Sequence, residues 1–242
     1  MIEINNLYKK FGKKIVLNGV STTIESGKTT VFIGPSGCGK STILKIILRL
    51  IEPDEGEILI NGENILEYAP QKLDILRSKI GMVFQSAALF DSLTIWENVG
   101  FALLERENKK RNEVKKIAVE KLKIVGLEGT EDLYPSELSG GMQKRAAIAR
   151  AIASDPDIIF YDEPTTGLDP ITSTIIEDLM KDLQKKTGKT SVIVTHQQST
   201  IFRTGDIITM FNKGQVYVTG TPDEFKNSND ELVRNFIEGK IR

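Results

Sequence analysis

The sequence contains a single cysteine and a single histidine, and it has no long hydrophobic run. One cysteine excludes a disulfide framework and suits a reducing compartment. The longest stretches without a charged residue, such as Ile80–Phe90, are far shorter than the ~20 apolar residues that span a bilayer. The opening Met1–Ile4 lacks the basic and then apolar pattern of a signal or transit peptide. We therefore expect a soluble cytosolic protein.

Neither sign of charge dominates, because 32 Lys and Arg residues stand against 33 Asp and Glu residues, for a net charge of −1. No global basic surface for nucleic acid is therefore expected. Hydrophobic residues make up 40% and charged residues 27%, which argues against disorder, collagen and coiled coil. A chain of 242 residues suffices for one large domain or two small ones.

Hydrophobic patterning predicts strands that alternate with helices. A β-branched run at Thr29–Ile33 predicts a buried strand, and apolar residues from Ile43 to Leu50 recur at helical spacing. Similar patterns predict buried strands at Ile80–Phe84, Ile158–Tyr161 and Ser191–Val194, and helices at about 142–152 and 172–183. This alternation implies an α/β fold whose mainly parallel sheet is covered on both faces.

Three segments depart from this alternation. Before the first buried strand, Ile2–Ile4 and Val16–Ile24 predict strands of an antiparallel β subdomain. The mostly helical sequence from Ile95 to Val125 predicts a helical arm at about 95–155. Near the end, residues 207–218 predict a hairpin, and Thr221 begins a helix with a capping box.

A phosphate-binding loop is predicted directly after the Thr29–Ile33 strand, where the sequence fits the pattern G-x-x-x-x-G-K-S/T. Glycines let consecutive backbone N–H groups surround phosphate oxygens, and the following helix adds the positive end of its dipole. Lys40 would bridge the β- and γ-phosphates, and the Ser41 hydroxyl would ligate Mg²⁺. The alternative is a glycine-rich turn that only connects strand to helix. The predicted nucleotide-binding residues are Gly34, Pro35, Ser36, Gly37, Cys38, Gly39, Lys40, Ser41 and Thr42.

Two acidic residues, Asp162 and Glu163, end the Ile158–Tyr161 strand. The carboxyl ends of parallel strands line the ligand crevice of an α/β sheet. Asp162 is therefore expected to serve Mg²⁺, and Glu163 to orient or deprotonate a water that attacks the γ-phosphate. The alternative is a pair of ordinary loop acids.

A second anion site is predicted at Ser139-Gly140-Gly141, which opens a helix whose first turn contains no acid. An unneutralised, glycine-flanked helix start attracts anions through its free N–H groups and dipole. The alternative is a plain serine N-cap. The chain thus offers two phosphate-type surfaces but one phosphate loop.

Six motifs occur in one order along the chain: Gly34–Ser41, Gln85, Leu138–Met142, Ile158–Glu163, Asp169 and His196. In this order they resemble the motif set of ABC ATPases, the nucleotide-binding subunits of ABC transporters, from Ile2 to about Gly220. The resemblance implies a P-loop NTPase with an N-terminal antiparallel β subdomain and a helical subdomain that carries the signature motif. It implies a single domain over 1–242, with its helical part at about 86–155 and a helical tail at about 221–242.

The resemblance also implies roles for single residues. Phe11 resembles the aromatic that stacks on adenine, with a strand-end core residue as the alternative. Gln85 resembles the glutamine that contacts Mg²⁺ and senses the transporter. His196 resembles the switch histidine that contacts the γ-phosphate, and Asp169 the residue that links the two sites of a dimer. The expected catalytic residues are Glu163, His196, Lys40 and Gln85, and the expected metal ligands are Ser41, Gln85 and Asp162.

Partners follow from the same resemblance. The family implies a head-to-tail dimer in which two ATP molecules lie between the phosphate loop of one copy and Ser139, Gly140 and Gly141 of the other. It also implies integral membrane permease subunits, which would place the chain at the inner face of the cell membrane. Apolar residues at Ala87–Phe90 could form a groove for a permease helix, with local core packing as the alternative.

Finer features resemble the ATPases of Mla-type lipid transporters, which work with MCE proteins. They are Phe84–Thr94, methionine at position 142, Asp169–Thr172 and Val233–Gly239. They imply movement of phospholipid or a related lipid between membranes, with an MCE-type substrate-binding protein as a further partner. The alternatives are an amino-acid or methionine importer, a soluble ABC ATPase such as one for Fe–S assembly, and an inactive nucleotide-binding module.

Overall fold

A computed structural model describes residues 1–107 and 109–240, so the parts of the predicted domain at Asn108, Ile241 and Arg242 lie outside the described residues. The strands are β1 (Ile2–Phe11), β2 (Lys14–Ile24), β3 (Thr29–Ile33), β4 (Glu55–Ile60), β5 (Glu63–Asn64), β6 (Ile80–Val83), β7 (Ile158–Asp162), β8 (Thr190–Val194), β9 (Ile207–Asn212) and β10 (Gln215–Gly220). The α-helices are α1 (Lys40–Ile47), α2 (Pro70–Ser78), α3 (Ile95–Glu105), α4 (Arg111–Ile124), α5 (Gly140–Ala151), α6 (Pro170–Thr187), α7 (Gln198–Thr204), α8 (Pro222–Lys226) and α9 (Glu231–Ile237).

The N-terminal strands form an antiparallel sheet in the order β2-β1-β4-β5, which confirms the predicted β subdomain. The first strand is longer than the predicted Ile2–Ile4, because it pairs with β2 as far as Phe11 opposite Lys14. Register shifts and a left-handed Asn6 (φ 49°) interrupt the apolar alternation after Ile4, so the period-2 signal fails there while the backbone stays paired.

The central sheet has the strand order β10-β9-β3-β8-β7-β6. Its pairs are parallel except for the β9–β10 hairpin, so the predicted mainly parallel sheet and the hairpin are both confirmed. Successive residues of β3 point to opposite faces, with Phe32 in the core beneath the β subdomain and Val31 and Ile33 in the core shared with the helical region. The sheet is therefore covered on both sides.

The helices differ from the predictions in four places, one of which is the unpredicted α7 between β8 and β9. Helix α1 ends at Ile47, so Leu50 lies beyond it and is 57% exposed, contrary to the predicted extension. The predicted helical run 95–125 is two helices, and Thr94 begins the first of them with a capping box. Helix α2 buries one residue, Leu76, and its apolar pattern was too weak to predict it.

Within residues 1–107 and 109–240, no helix has the length and apolar character needed to cross a bilayer.

Candidate nucleotide site

The predicted phosphate loop joins β3 to α1, and its geometry requires glycine at two positions. Gly34 has φ 137°, and a Cβ built there would lie 2.2 Å from the backbone oxygen of Phe211. Gly39 has φ 104°, and its Cβ would lie 2.3 Å from Leu17 Cδ2. L-residues rarely adopt such φ values, so these glycines fix the path of the loop.

Lys40 is buried within this loop. Its ammonium donates to the backbone oxygens of Gly34, at 2.7 Å, and Pro35, at 3.0 Å. No acid lies in the first turn of α1, so the positive end of that helix is not neutralised locally. Amides, an ammonium and a helix dipole therefore act on the same small volume, as an anion site requires.

Asp162 lies at the carboxyl end of β7, beside the start of α1. The Ser41 hydroxyl donates to Asp162 Oδ1 at 2.7 Å. Burial raises the pKa of Asp162, the negative charge of Glu163 adds to this, and the Ser41 hydrogen bond opposes it. Ser41, Asp162 and Gln85 supply hydroxyl, carboxylate and amide oxygens, which are the donors that Mg²⁺ prefers, so the residues present fit that ion.

Glu163 follows Asp162 in a left-handed conformation, with φ 50°. This conformation is uncommon for a non-glycine residue and is held by a backbone hydrogen bond of 2.8 Å from Glu163 N to Val194 O. His196 Nδ1 lies 2.9 Å from Glu163 Oε1, and the Thr166 hydroxyl donates to Oε2 at 3.0 Å. The carboxylate is thus oriented at both oxygens, which is a suitable geometry for accepting a proton from water.

One cavity of about 490 Å³ brings most of the predicted residues together. Its lining includes Phe11, Ser36, Gly37, Gly39, Lys40, Ser41, Thr42, Gln85, Glu163 and His196. Phe11 ends β1 and is 47% exposed, so the alternative of a core residue does not hold. Lys14 and Val16 also line the cavity and were not predicted, because nothing in the local sequence of β2 marks them.

Ser139, Gly140, Gly141 and Asp169 do not line this cavity. Ser139 caps α5, and that helix has no acid in its first turn. Asp169 caps α6, where hydrogen bonds from Thr172 and the Ile171 amide lower its pKa. A Cβ on Gly141 would lie 2.4 Å from Thr172 Cγ2, so the two helix starts pack directly against each other. Within one chain, the second predicted anion surface is therefore separate from the first.

Two cations of α5 were missed by the sequence reasoning. Lys144 Nζ donates to the backbone oxygen of Gln85 and lies 3.5 Å from that of Glu163. Arg150 donates to the backbone oxygens of Ala87, at 2.7 Å, and Ala88. Burial lowers the pKa of both side chains. Their acceptors are main-chain groups of a distant segment, which leave no signal in the local sequence.

The fold and the site define a P-loop nucleotide hydrolase: a glycine loop between a buried parallel strand and a helix, with carboxylates at the end of a neighbouring strand. The comparison with protein families identifies the class further. A family model described as ABC transporter matches residues 17–166, and the chain belongs to that family.

Individual relatives cover nearly the whole chain. The protein TRIGALACTOSYLDIACYLGLYCEROL 3, chloroplastic, of Arabidopsis thaliana is 44% identical over 257 residues, covering 100% of this chain and 74% of the relative. The intermembrane phospholipid transport system ATP-binding protein MlaF of Haemophilus influenzae is 39% identical, covering 99% of this chain and 91% of the relative. The Fe(3+) ions import ATP-binding protein FbpC of Escherichia coli O157:H7 is 40% identical, and the match covers 92% of this chain and 62% of the relative.

Solved structures agree with this assignment. A dimeric ATP-binding cassette in a post-hydrolysis state, bound to ADP and Pi, matches with a TM-score of 0.82 and 38% identity, covering 92% of this chain and 99% of that one. The chain is thus an ATP-binding and ATP-hydrolysing subunit of the ABC transporter family.

Proposed function

We propose that this chain is the motor of a lipid transporter, which moves phospholipid or a related lipid between membranes. The observation that carries the proposal is the similarity to the intermembrane phospholipid transport ATPase over 99% of the chain. The chain would work with integral membrane permeases and an MCE-type substrate-binding protein. The comparable similarity to an iron importer favours a second candidate, the ATPase of a solute importer.

The geometry of the site supports the role that the family resemblance implies for each of its residues. Lys40 and the loop amides would bind the β- and γ-phosphates, and Phe11 would stack on adenine. Ser41, Asp162 and Gln85 would hold Mg²⁺, which supplies charge neutralisation on the phosphates when bound. Glu163 would take a proton from the attacking water, and His196 would hold that carboxylate in place and contact the γ-phosphate.

A second copy of the chain would complete each site. The exposed start of α5 offers free N–H groups and no neutralising acid, but it lies outside the cavity of its own chain. The dimeric assembly of the similar cassette supports a head-to-tail pair in which Ser139, Gly140 and Gly141 face the γ-phosphate bound by the partner. Asp169, which caps the helix packed against this turn, would link the two sites.

The dimer has a direct test in the Glu163→Gln variant. It should bind MgATP, fail to turn it over and accumulate as a dimer in size-exclusion chromatography with light scattering. Adding Gly140→Asp should keep nucleotide binding but prevent the dimer, because a carboxylate would repel the phosphate. Gly140→Ala is the matched control, since a Cβ there meets nothing closer than 3.8 Å. Equal dimer formation by the Asp and Ala variants would contradict the proposal.

A groove beside the ATP site supports a permease partner. Its volume is about 320 Å³, and Phe84, Phe101, Met82 and Leu50 give it an apolar wall. The predicted Ala87–Phe90 segment does not line this groove, because Ala87 is buried in the core and Phe90 packs on Phe101 at a ring distance of 4.6 Å. A permease helix docked in this groove would hold the chain at the cytoplasmic face of the membrane.

The cargo has its own experiment, which is purification of the tagged chain from detergent-solubilised native membranes. A multispanning permease together with an MCE-domain protein supports lipid transport. A permease with a solute-binding protein would favour the importer. A soluble scaffold protein without a permease would point to the Fe–S assembly alternative and contradict the motor.

A further inference from the structure

The segment from Gln85 to Ala88, called the 85–88 loop below, is held by two cations of one helix. Lys144 donates to the backbone oxygen of Gln85, and Arg150 donates to those of Ala87 and Ala88. Among residues 1–107 and 109–240, no carboxylate lies within ion-pair distance of either cation. Both positive charges are substantially desolvated, and their hydrogen-bond partners are main-chain oxygens. Burying a charge without an opposite charge beside it carries a free-energy cost.

The loop that they hold is strained. Ala87 has φ 59° and Ala88 has φ 50°, and neither residue is a glycine. The left-handed conformation is unfavourable for an L-residue, so two in succession persist only where other contacts impose them. The contacts here are the two bonds from Arg150 and a backbone bond of 3.0 Å from Ala87 N to Phe84 O. Such a loop can change conformation when those contacts change.

The two cations reach in different directions. Arg150 lines the groove together with Phe84, the residue directly before the 85–88 loop. Lys144 lies deeper, and its ammonium is 3.5 Å from the backbone oxygen of Glu163 as well as bonded to Gln85. A contact made in the groove thus has a continuous route through Arg150, the loop and Lys144 to the backbone of Glu163, whose side chain is the proposed catalytic carboxylate.

We propose that Lys144 and Arg150 are positioning residues that couple the groove to ATP hydrolysis by fixing the 85–88 loop against α5. The proposal rests on the function proposed above for Gln85 and Glu163. Arg150 holds the strained end of the loop, where a partner in the groove can reach it. Lys144 sets the spacing between the loop that carries Gln85 and the turn that carries Glu163.

The test compares cations of the same helix in the full chain. Lys144→Met and Arg150→Met remove the loop contacts, and Arg145→Met is the matched control. Arg145 also donates to main-chain oxygens, those of Val125 at 3.2 Å and Gly126 at 2.8 Å, but these lie at the end of α4. The measurements are kcat, the Kd for MgATP, and hydrogen exchange of a peptide that covers Ala87 and the following residues.

We expect Lys144→Met to lower kcat about 10- to 100-fold, as small displacements of catalytic groups do, with Kd close to the wild-type value. Arg150→Met should lower kcat in the same direction and speed exchange of the 85–88 loop. Lys144→Arg should restore turnover, because a guanidinium can donate to both oxygens. Arg145→Met should leave kcat and loop exchange unchanged and affect only thermal stability.

Equal kcat in Lys144→Met and Arg145→Met, or equal exchange of the 85–88 loop in Arg150→Met and Arg145→Met, would overturn the inference. If Lys144→Met does not fold, Lys144→Gln keeps an uncharged amide donor and should give an intermediate kcat. Wild-type turnover in that variant would also overturn the inference. The proposed function fails separately, through full activity of Glu163→Gln, whatever the Lys144 variants do.

Discussion

A single methyl group at position 34 should damage both the fold and the ATP site. In Gly34→Ala the new Cβ would lie 2.2 Å from the backbone oxygen of Phe211, about 1.2 Å inside the 3.4 Å at which ordinary contacts begin. Phe211 cannot retreat, because it is fully buried on β9 and packs edge-on against Phe32. The φ of 137° at Gly34 adds backbone strain.

The two effects together are large for a protein of this size. Overpacking costs ~1–3 kcal/mol, and a disfavoured φ costs a similar amount, so we expect a loss of about 3–5 kcal/mol. At ~2–4 °C per kcal/mol, the midpoint of thermal unfolding should fall by roughly 6–20 °C. A loop displaced by about 1 Å should also lose turnover by ~100-fold.

Circular dichroism on heating and an ATPase assay measure both effects. The matched control is Gly12→Ala, in the turn between β1 and β2, where φ is 58° and a Cβ meets nothing within 4 Å. It should cost only ~1 kcal/mol, the backbone part of the penalty. If Gly34→Ala and Gly12→Ala unfold at the same temperature, the packing argument for the phosphate loop is wrong.

Three further predictions concern other parts of the chain. Phe11→Ala should weaken ATP binding by about 10-fold or more, which corresponds to the free energy of stacking one base, while Phe11→Trp should retain the affinity. Equal affinity for ATP in the two variants would refute stacking. Cys38 lies in the phosphate loop and is 7% exposed, so its alkylation should block ATP binding, and MgATP should slow the alkylation. A labelling rate that MgATP does not change would count against the loop assignment. Glu177 is fully buried and accepts hydroxyl hydrogen bonds of 2.7 and 2.9 Å from α7. In urea unfolding, Glu177→Ala should lose ~2–3 kcal/mol of unfolding free energy, and Asp178→Ala, at its exposed neighbour, under ~1 kcal/mol. Similar losses in the two variants would refute the reasoning.

The sequence predicted the central sheet well because its strands are short, apolar and bounded by turn residues. Thr29–Ile33 is buried at every position, so composition alone marked it. The polar end of β1 was missed, because its pairing is made by backbone bonds that period-2 patterning does not detect past a bulge. The break between α3 and α4 was missed because no proline or glycine marks it.

The site was predictable where its residues are contiguous. The phosphate loop and the Asp162–Glu163 pair follow strands directly, so a local motif places them. Lys144 is different, since its acceptor on Gln85 lies 59 residues earlier and is a main-chain oxygen. Any side chain could stand at position 85 and present the same acceptor. Contacts of this kind come from the tertiary fold and require coordinates.

The separation of the phosphate loop from the start of α5 has a genetic consequence if each site is shared between two copies. A copy damaged at Lys40 and a copy damaged at Gly140 would each be inactive alone. In a mixed pair, both lesions fall in one site, and the other site consists entirely of undamaged halves. Two null alleles expressed together should therefore rescue each other in part, which no cis-acting arrangement of the same residues would allow.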